Sequence, residues 1–384
     1  MRQSGSPQLG PATMRSPTLT PAPSAARFDI LDVLRFAAAL AVTVFHFGFR
    51  GWIDDGSGLL VFPALAPLAK YGYLGVDAFF LISGFVILLT ALPRGPGSFV
   101  ASRITRLYPA YWFCVCTAFA GFYLMEGRHD GQAWLIWLAN MSMLQSFVGL
   151  PDIDGVYWTL AVELRFYLLI FLLLVLGQAK RIEAALWLWL LALLAMDLKL
   201  LLAPAWLEAA LLKPWAHYFI AGAGFYLVWL QRLSWTRALL LALCALRAVQ
   251  HAYWYMLLKA KLTGVAMDRW VVTAVVLALF LLFLAIALRK LDGLRLRRWV
   301  GLGVLTYPLY LIHEVLGKWL LFGHLNATYP TLQLVAVLLL AIACAWLIQR
   351  LVERPLTGRL KRWTQVLHAR RLPANALHPQ GAER

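Results

Sequence analysis

At 384 residues, of which 62% are hydrophobic and only 14% charged, the chain carries too many long apolar runs for a water-soluble fold, which excludes the soluble classes of enzyme and binding protein. A net charge of +17 would favour nucleic-acid binding in a soluble protein. Here the basic residues cluster in particular loops, a pattern typical of topology signals and of contact with anionic lipid. Composition therefore predicts a polytopic membrane protein with lipid, and not nucleic acid, as the partner of its charge.

The chain divides into three parts by composition. Residues 1–26 are rich in Pro, Ser, Thr and Ala, show no apolar core of a signal peptide, and are expected to form a disordered cytoplasmic tail. Residues 27–355 are expected to form the membrane domain. Residues 356–384 form a basic cytoplasmic tail, expected to lie on the inner leaflet.

Within the membrane domain, apolar runs of membrane-spanning length follow one another with short connections. We expect these runs to form an all-α bundle of about ten transmembrane helices. The predicted spans are 30–49, 72–92, 107–125, 159–177, 184–203, 211–230, 238–258, 270–288, 299–321 and 332–350.

A further run over 134–150 is shorter and is interrupted by Asn140, Ser142 and Gln145. It is expected to be interfacial or re-entrant and not to span. Ten spans place both termini on one side, and the loops of that side carry more Arg and Lys than the opposite loops. The positive-inside rule therefore predicts a multi-pass protein of the inner (plasma) membrane with both termini in the cytoplasm.

The first predicted span contains two ionisable residues, Arg35 and His46, eleven positions apart. Eleven helical residues return to within roughly 20° of the same face and advance roughly 16 Å along the axis. Ionisable groups inside a membrane are expensive and commonly mark functional sites. The spacing therefore indicates a polar cavity that runs along this helix.

The predicted directions of the helices sort the intramembrane ionisable residues into two groups. One group falls in the outer half of the membrane and comprises His46, Asp77, Glu163 and His313. The other falls at the cytoplasmic side and comprises Arg35, Arg103 and Arg106. Guanidinium groups bind phosphates bidentately, and a histidine oriented by a carboxylate suits general-base catalysis. This division suits a phosphate-bearing donor at one end and an activated hydroxyl at the other.

Structural interpretations of the same residues stay open at this point. Arg35 could extend to the membrane interface, and Arg103 and Arg106 could serve only as topology signals. Asp77 could complement a helix dipole, and Glu163 could pair with Arg165 or cap its helix. The adjacent His313 and Glu314 could be a packing pair. The four cysteines, at 114, 116, 244 and 344, lie in apolar runs and are expected to be buried thiols, so no metal site is predicted.

Six motifs in order resemble the acyltransferase-3 family of integral membrane O-acyltransferases, over roughly Phe28 to Pro355. They are FDILDVLRFAAALAVTVFHF with Arg35 and His46, GYLGVDAFFLISGFVI with Asp77, FVASRITRLYPAYW with Arg103 and Arg106, VYWTLAVELRFYLL with Trp158 and Glu163, TYPLYLIHE with His313, and VERP with Glu353.

The resemblance implies transfer of an acyl group, usually acetyl, from cytoplasmic acyl-CoA to a sugar hydroxyl of a lipopolysaccharide, exopolysaccharide, peptidoglycan or secreted glycoside. Acyl-CoA would be a co-substrate, and no permanently bound cofactor is expected. The resemblance implies that His46 is the essential histidine and that Glu163 is the acidic residue near the reaction centre. It implies that Arg35, Arg103 and Arg106 bind the CoA phosphates. The supporting residues would be Asp77, Trp158 and His313.

Two questions about the reaction stay open. The activated hydroxyl could attack the thioester directly, or the acyl group could pass through an acyl-histidine intermediate. From another class of protein, a transporter of an acidic or acylated solute would also carry intramembrane charges, although no clear internal repeat supports it. A lipid-linked glycosyltransferase would need an outer acidic pair and a large soluble loop, and the sequence lacks both.

Overall fold

The computed structural model describes residues 29–50, 62–124, 130–294, 296, 298–321 and 328–371. Within these residues the chain is helical, with short turns and no strand, so the predicted all-α class is confirmed. The cytoplasmic tail predicted for residues 1–26 and the last residues of the C-terminal tail, 372–384, lie outside the described part.

The helices are numbered in chain order. They are α1 (Asp29–Phe45), α2 (Ala66–Ala69), α3 (Gly75–Ala91), α4 (Pro96–Phe119), α5 (Gly131–Met141), α6 (Trp158–Val175), α7 (Ile182–Asp197), α8 (Ala205–Ala210), α9 (Ala216–Gln231), α10 (Trp235–Thr263), α11 (Arg269–Ala287), α12 (Val300–Gly303), α13 (Thr306–Leu320), α14 (Pro330–Ile348) and α15 (Arg354–Arg371). Wider π-helical turns continue α1 (His46–Arg50), α4 (Ala120–Leu124) and α14 (Gln349–Glu353).

Each of the ten predicted spans contains one long helix. Five helical stretches of the described chain are long and apolar enough to cross a membrane, namely Asp29–Arg50, Ala66–Ala91, Gly155–Val175, Arg269–Ala287 and Pro330–Trp363. The figure of ten crossings stays a prediction. The segment 134–150 forms the eleven-residue α5 and a following turn. At roughly 1.5 Å per residue this helix is too short to span a bilayer, in line with the non-spanning segment expected there.

One helix boundary differs from the sequence expectation and matters for the site. Hydropathy predicts that the third span begins near residue 107, with Arg103 and Arg106 in the preceding loop. Instead α4 begins at Pro96, directly after Gly95, because proline is well tolerated at the first position of a helix. Both arginines therefore lie on turns of α4 and are held by its rigid backbone.

Apolar side chains cover the outside of the bundle, and polar groups lie within it. Leu188, Leu281 and Trp254 are each more than 60% exposed, whereas His313 and Asp77 are buried. This inversion of a water-soluble protein's pattern is the arrangement expected when lipid is the solvent. Several of the polar groups inside the bundle, including Asp77, line its cavities.

The helix α9 is the centre of the bundle and packs closely along α3. Its side chains are buried from Ala216 to Val228, as expected for a helix that is apolar on all sides. The two backbones meet where Gly222 of α9 faces Gly84 of α3, and a Cβ at Gly222 would clash with the carbonyl oxygen of Leu81. Small residues at such crossings let membrane helices approach closely.

The substitution Gly222→Ala is expected to destabilise the protein, because its methyl group forces α3 and α9 apart. Overpacking of this kind costs about 1–3 kcal/mol, which lowers the melting temperature of the detergent-purified protein. The matched control is Gly358→Ala in α15, where a Cβ meets nothing within 4 Å. Equal melting temperatures for the two variants would contradict the close crossing.

Candidate active site

His46 lies where the first helix changes its winding. The α-helix Asp29–Phe45 continues as the π-helical turn His46–Arg50, a type of local widening that is common at functional sites. The imidazole ring of His46 lies 5.0 Å from the ring of His313, centroid to centroid. Its Nδ1 atom lies 3.6 Å from Oε2 of Glu314. That separation is longer than a hydrogen bond and within the distance of an ion pair.

Glu314 of α13 lies between the imidazole of His46 and the ammonium group of Lys318. Its Oε2 faces His46, and its Oε1 lies 3.0 Å from Nζ of Lys318, one helical turn further along. Gly155 approaches from the other side, and a Cβ there would lie 3.0 Å from Oε1 of Glu314. The carboxylate is therefore confined. A carboxylate on Nδ1 fixes the neutral ring with its lone pair on Nε2, the state required of a general base.

A second carboxyl group, that of Asp154, lies beside Glu314 at the start of the turn Gly155–Tyr157. Its Oδ1 accepts a hydrogen bond of 3.1 Å from the backbone N–H of Val156. Burial, and then the negative charge of Glu314, raise the pKa of Asp154 well above its usual range. The carboxyl group of Asp154 therefore holds its proton more readily than an exposed aspartate does.

His46 opens into a small cavity of about 60 Å³, which we call the histidine chamber. Its walls are aromatic with a few polar groups, and they include His46, Asp77, Trp158, Trp215, Tyr255 and Lys259. The Tyr218 hydroxyl donates a 2.9 Å hydrogen bond to Oδ2 of Asp77. The rings of Trp158 and Trp215 are 5.2 Å apart, centroid to centroid. Flat aromatic faces beside a few hydrogen-bonding groups suit the hydroxyl-bearing end of a polar ligand.

His313 lies behind His46 and is fully buried. Its Nδ1–H donates a 2.8 Å hydrogen bond to the carbonyl oxygen of Tyr310, one turn earlier in α13. That bond fixes the tautomer of His313 and places its ring against His46. The two histidines therefore lie side by side, with His313 in a packing position.

A second cavity, the arginine chamber, has a volume of about 140 Å³. Its polar walls are formed by Arg35, Ser83, Arg103, Arg106, Glu163 and Tyr167. Arg103 is held by hydrogen bonds to Oγ of Ser102 and by the rings of Phe99 and Tyr167, each 5.7 Å from the guanidinium. The guanidinium groups of this chamber are thus held in place before any anion arrives.

Arg106 is held in position by Glu353, a residue near the C-terminal end of the chain. Its NH1 group donates to the Oε1 atom of Glu353, the acid of the VERP motif, and its guanidinium lies 5.8 Å from the ring of Tyr307. Arg35 donates a 3.3 Å hydrogen bond from NH1 to Oδ1 of Asp32, one turn before it in α1. The arginines predicted as a group therefore come together in space, from α1 and α4.

Three cavities follow one another through the bundle. The outermost, which we call the basic mouth, has a volume of about 580 Å³ and shares Arg35, Arg103 and Arg106 with the arginine chamber. The arginine chamber in turn shares Val76 and Tyr310 with the histidine chamber. The cavities are thus neighbours in the order basic mouth, arginine chamber and histidine chamber, with the cationic walls at one end and His46 at the other.

Glu163 lies in a different chamber from the one expected. The sequence predicts that it lies beside His46, but it lines the arginine chamber, where Oγ of Ser83 donates a 2.6 Å hydrogen bond to its Oε1. The reason is axial position: Glu163 is five residues, roughly 7.5 Å, beyond Trp158 along α6, and Ser83 is six residues beyond Asp77 along α3. The carboxylate that meets His46 is Glu314, for which the sequence suggests only a packing role.

Two further residues of the histidine chamber, Lys259 and Tyr255, are not found by sequence reasoning. Both come from α10, more than 200 positions after His46 in sequence. In the sequence, Lys259 is only a basic residue near the end of an apolar helix, which the positive charge of membrane loops already explains. Tyr255 gives no local signal. A polar residue next to an identified histidine, as Glu314 is, provides a better signal.

Comparison with known proteins identifies the family of the chain. The family model for an acyltransferase domain, Acyl_transf_3, matches residues 28–350, and the chain therefore belongs to this acyltransferase family. The match covers every residue assigned to the two chambers. No solved structure matches the chain.

Several named relatives are similar over part of their length. The putative membrane-bound transacylase BcsY of Komagataeibacter xylinus is 31% identical over 175 residues, which cover 41% of this chain and 40% of that protein. The peptidoglycan O-acetyltransferase OatA of Listeria monocytogenes is 31% identical over 159 residues, covering 36% and 23%. The acyltransferase MdmB of Streptomyces mycarofaciens is 30% identical over 155 residues, covering 38% and 39%. The matches span less than half the length of these relatives.

Proposed function

We propose that the protein is a membrane O-acyltransferase that moves an acyl group, expected to be acetyl, from acyl-CoA to a hydroxyl of a cell-surface or exported glycan. The observation that carries the proposal is the succession of cavities from a basic mouth to an oriented histidine. Membership of the acyltransferase family supports the reaction class. The glycan acceptor is supported by relatives that are named as peptidoglycan O-acetyltransferases.

The donor would enter by the basic mouth. The CoA diphosphate carries negative charge that Arg35, Arg103 and Arg106 can neutralise, and guanidinium forks suit phosphate oxygens. The pantetheine arm would then pass through the arginine chamber, where apolar wall residues such as Phe79 and Leu160 suit its carbon chain. Its thioester would lie at the junction formed by Val76 and Tyr310.

The acceptor would occupy the histidine chamber. In the proposed reaction Nε2 of His46 removes the proton of the acceptor hydroxyl, and the oxygen attacks the thioester carbonyl. The C–S bond breaks, and the imidazolium returns its proton to the leaving thiolate of CoA. Glu314 holds Nδ1 and stabilises the charge that the ring carries in between. In the alternative path Nε2 attacks the thioester carbonyl itself, and the C–S bond breaks to give acyl-histidine and CoA thiolate. The acceptor hydroxyl then takes the acyl group as the C–N bond breaks, and its proton passes to the thiolate.

The topology of this proposal follows from the basic residues. The mouth would face the cytoplasm, where acyl-CoA is found, and the histidine chamber would lie toward the far side of the inner membrane. Both termini would be cytoplasmic. The acyl group, and not the whole donor, would cross the bilayer.

Purified protein in lipid nanodiscs, incubated with acetyl-CoA and a glycan, provides the test. The expected result is release of free CoA thiol that depends on the glycan, with acetyl recovered on the sugar by mass spectrometry. Transport of a solute into proteoliposomes without any thiol release would overturn the proposal and favour a transporter. Mass spectrometry of surface glycans with and without the protein then identifies the acceptor.

Arg103→Ala is expected to weaken donor binding. Loss of one charge-assisted contact to phosphate raises the KM for acetyl-CoA by about tenfold while kcat changes little, because the contact is made equally in the ground and transition states. The measurement is initial rate against acetyl-CoA concentration. An unchanged KM would count against phosphate binding by Arg103.

A further inference from the structure

The basic mouth is larger than the arginine chamber and has more cationic residues in its wall. Five cationic residues line it, and no Asp or Glu is present among its described lining residues. They are Arg35, Arg94, Arg103, Arg106 and Lys361. Three of these also line the arginine chamber, whereas Arg94 and Lys361 line the mouth alone. The cationic groups therefore form two levels, an inner level of three arginines and an outer level of two residues.

Lys361 reaches the mouth because the C-terminal helix is docked on the bundle. The helix α15 follows α14 through the π-helical turn Gln349–Glu353 and packs along α4. The Thr357 hydroxyl donates a 3.0 Å hydrogen bond to the carbonyl oxygen of Thr105, and Glu353 accepts from Arg106. Thr357 and Lys361 are four residues apart, so they share the face of α15 that is turned toward α4.

The donor proposed above has phosphates at two levels as well. The diphosphate of CoA adjoins the pantetheine arm, and the 3′-phosphate lies at the far end of the molecule on the adenosine ribose. A phosphomonoester carries about two negative charges at neutral pH and offers three acceptor oxygens. With the arm directed at His46, the diphosphate lies against the inner level and the 3′-phosphate lies further out.

We propose that Arg94 and Lys361 bind the 3′-phosphate of acyl-CoA, so that the C-terminal helix forms part of the donor site. This inference rests on the proposed acyl-CoA-dependent function. It makes α15 a contributor to donor specificity, beyond the tail on the inner leaflet expected from the sequence. It also gives a reason why α15 packs on the same helix, α4, that carries Arg103 and Arg106.

The test compares two donors that differ only in that group, acetyl-CoA and 3′-dephospho-acetyl-CoA. The variants are Lys361→Gln and Arg94→Gln, with Arg362→Gln as the matched control. Arg362 is the next residue of α15, is also exposed, and bonds to the Gly358 carbonyl oxygen away from the mouth. Arg362→Gln removes one positive charge, as Lys361→Gln and Arg94→Gln do. A general change of surface potential therefore appears in the control as well.

Lys361→Gln and Arg94→Gln are each expected to raise the KM for acetyl-CoA by about tenfold, the effect of one lost charge-assisted hydrogen bond, and to leave the KM for 3′-dephospho-acetyl-CoA unchanged. Arg362→Gln should change neither. Equal effects on the two donors, or an equal effect of Arg362→Gln, would overturn the proposal. A protein that transfers acetyl from neither donor refutes the proposed function itself.

A binding measurement supplies a readout that does not need turnover. Adenosine 3′,5′-bisphosphate, the terminal part of CoA, is titrated against the purified wild type and the same variants. We expect binding that weakens about tenfold in Lys361→Gln and persists in His46→Ala. The alternative source of phosphate is the lipid headgroup. If Lys361→Gln instead lowers only the affinity for anionic lipid in the nanodisc, with nucleotide binding unchanged, the mouth binds lipid and the inference is wrong.

Discussion

His46→Ala is expected to abolish acyl transfer while leaving a folded protein in the membrane. The imidazole of His46 lines the histidine chamber. Its Nδ1 atom faces Glu314, so Nε2 is the atom that can act on the acceptor hydroxyl. Removal of a positioned general base lowers the rate by about 10²–10⁴-fold. A larger loss is expected if the acyl group is carried on the ring, because the covalent path then has no alternative nucleophile. The measurement is CoA thiol release at saturating acetyl-CoA and glycan.

The control for His46→Ala is donor binding. Acetyl-CoA affinity should remain near the wild-type value, since the phosphate ligands lie in the arginine chamber and the basic mouth. An elution profile in detergent that matches wild type excludes misfolding as the cause of the loss. Turnover close to the wild-type rate would remove His46 from the reaction and with it the whole proposed mechanism.

Glu314→Gln is expected to have the second largest effect on turnover. The amide has the size of the carboxylate and keeps a contact to His46, but it cannot stabilise the positive charge that the ring carries during transfer. A charge-assisted contact that Glu314 makes to the protonated ring during transfer contributes about 1.5–3 kcal/mol, and its loss corresponds to roughly a 10- to 100-fold lower kcat with little change in KM for the donor. The measurement is kcat and KM for acetyl-CoA at saturating glycan.

Glu163→Gln provides the matched comparison, because it makes the same chemical change one chamber away. Glu163 is bonded to Ser83 among the arginines, so we expect its replacement to alter the KM for acetyl-CoA more than kcat. Comparing the two variants therefore shows which carboxylate acts with His46 in catalysis. If Glu163→Gln costs more in kcat than Glu314→Gln, Glu163 acts at the reaction centre as the sequence predicts, and the assignment of Glu314 as the partner of His46 in catalysis is wrong.

Helix content was predictable because it depends on local pattern, and the grouping of the arginines was predictable from the expected direction of each helix. Long apolar runs have one solution in lipid, the helix, since every backbone group must be satisfied within its own segment. Arg35 and His46 share a helix, so their separation follows from the rise per residue. The start of α4 is about ten residues earlier than hydropathy predicts, because its first turns, around Arg103, are too polar to register as a span.

The partner of His46 was not predictable from local pattern. Glu314 is 268 positions away in the chain, and a helix of unknown rotation and depth can present either of its neighbouring polar residues to a cavity. A shift of five residues, roughly 7.5 Å along a helix, is enough to move a carboxylate from one chamber to the next, as it does for Glu163. Residues of α10 and α15, such as Lys259 and Lys361, enter the cavities only through helix packing.

The sequence by itself determined that this is a helical membrane protein and named the histidine and arginines of the proposed reaction, because hydropathy and spacing within one helix are local properties. The tertiary structure decided which carboxylate faces the histidine, how the cavities follow one another, and that the C-terminal helix lines the basic mouth. Those features depend on the rotation and axial offset of each helix against its neighbours, which side-chain packing at crossings such as Gly84 and Gly222 fixes.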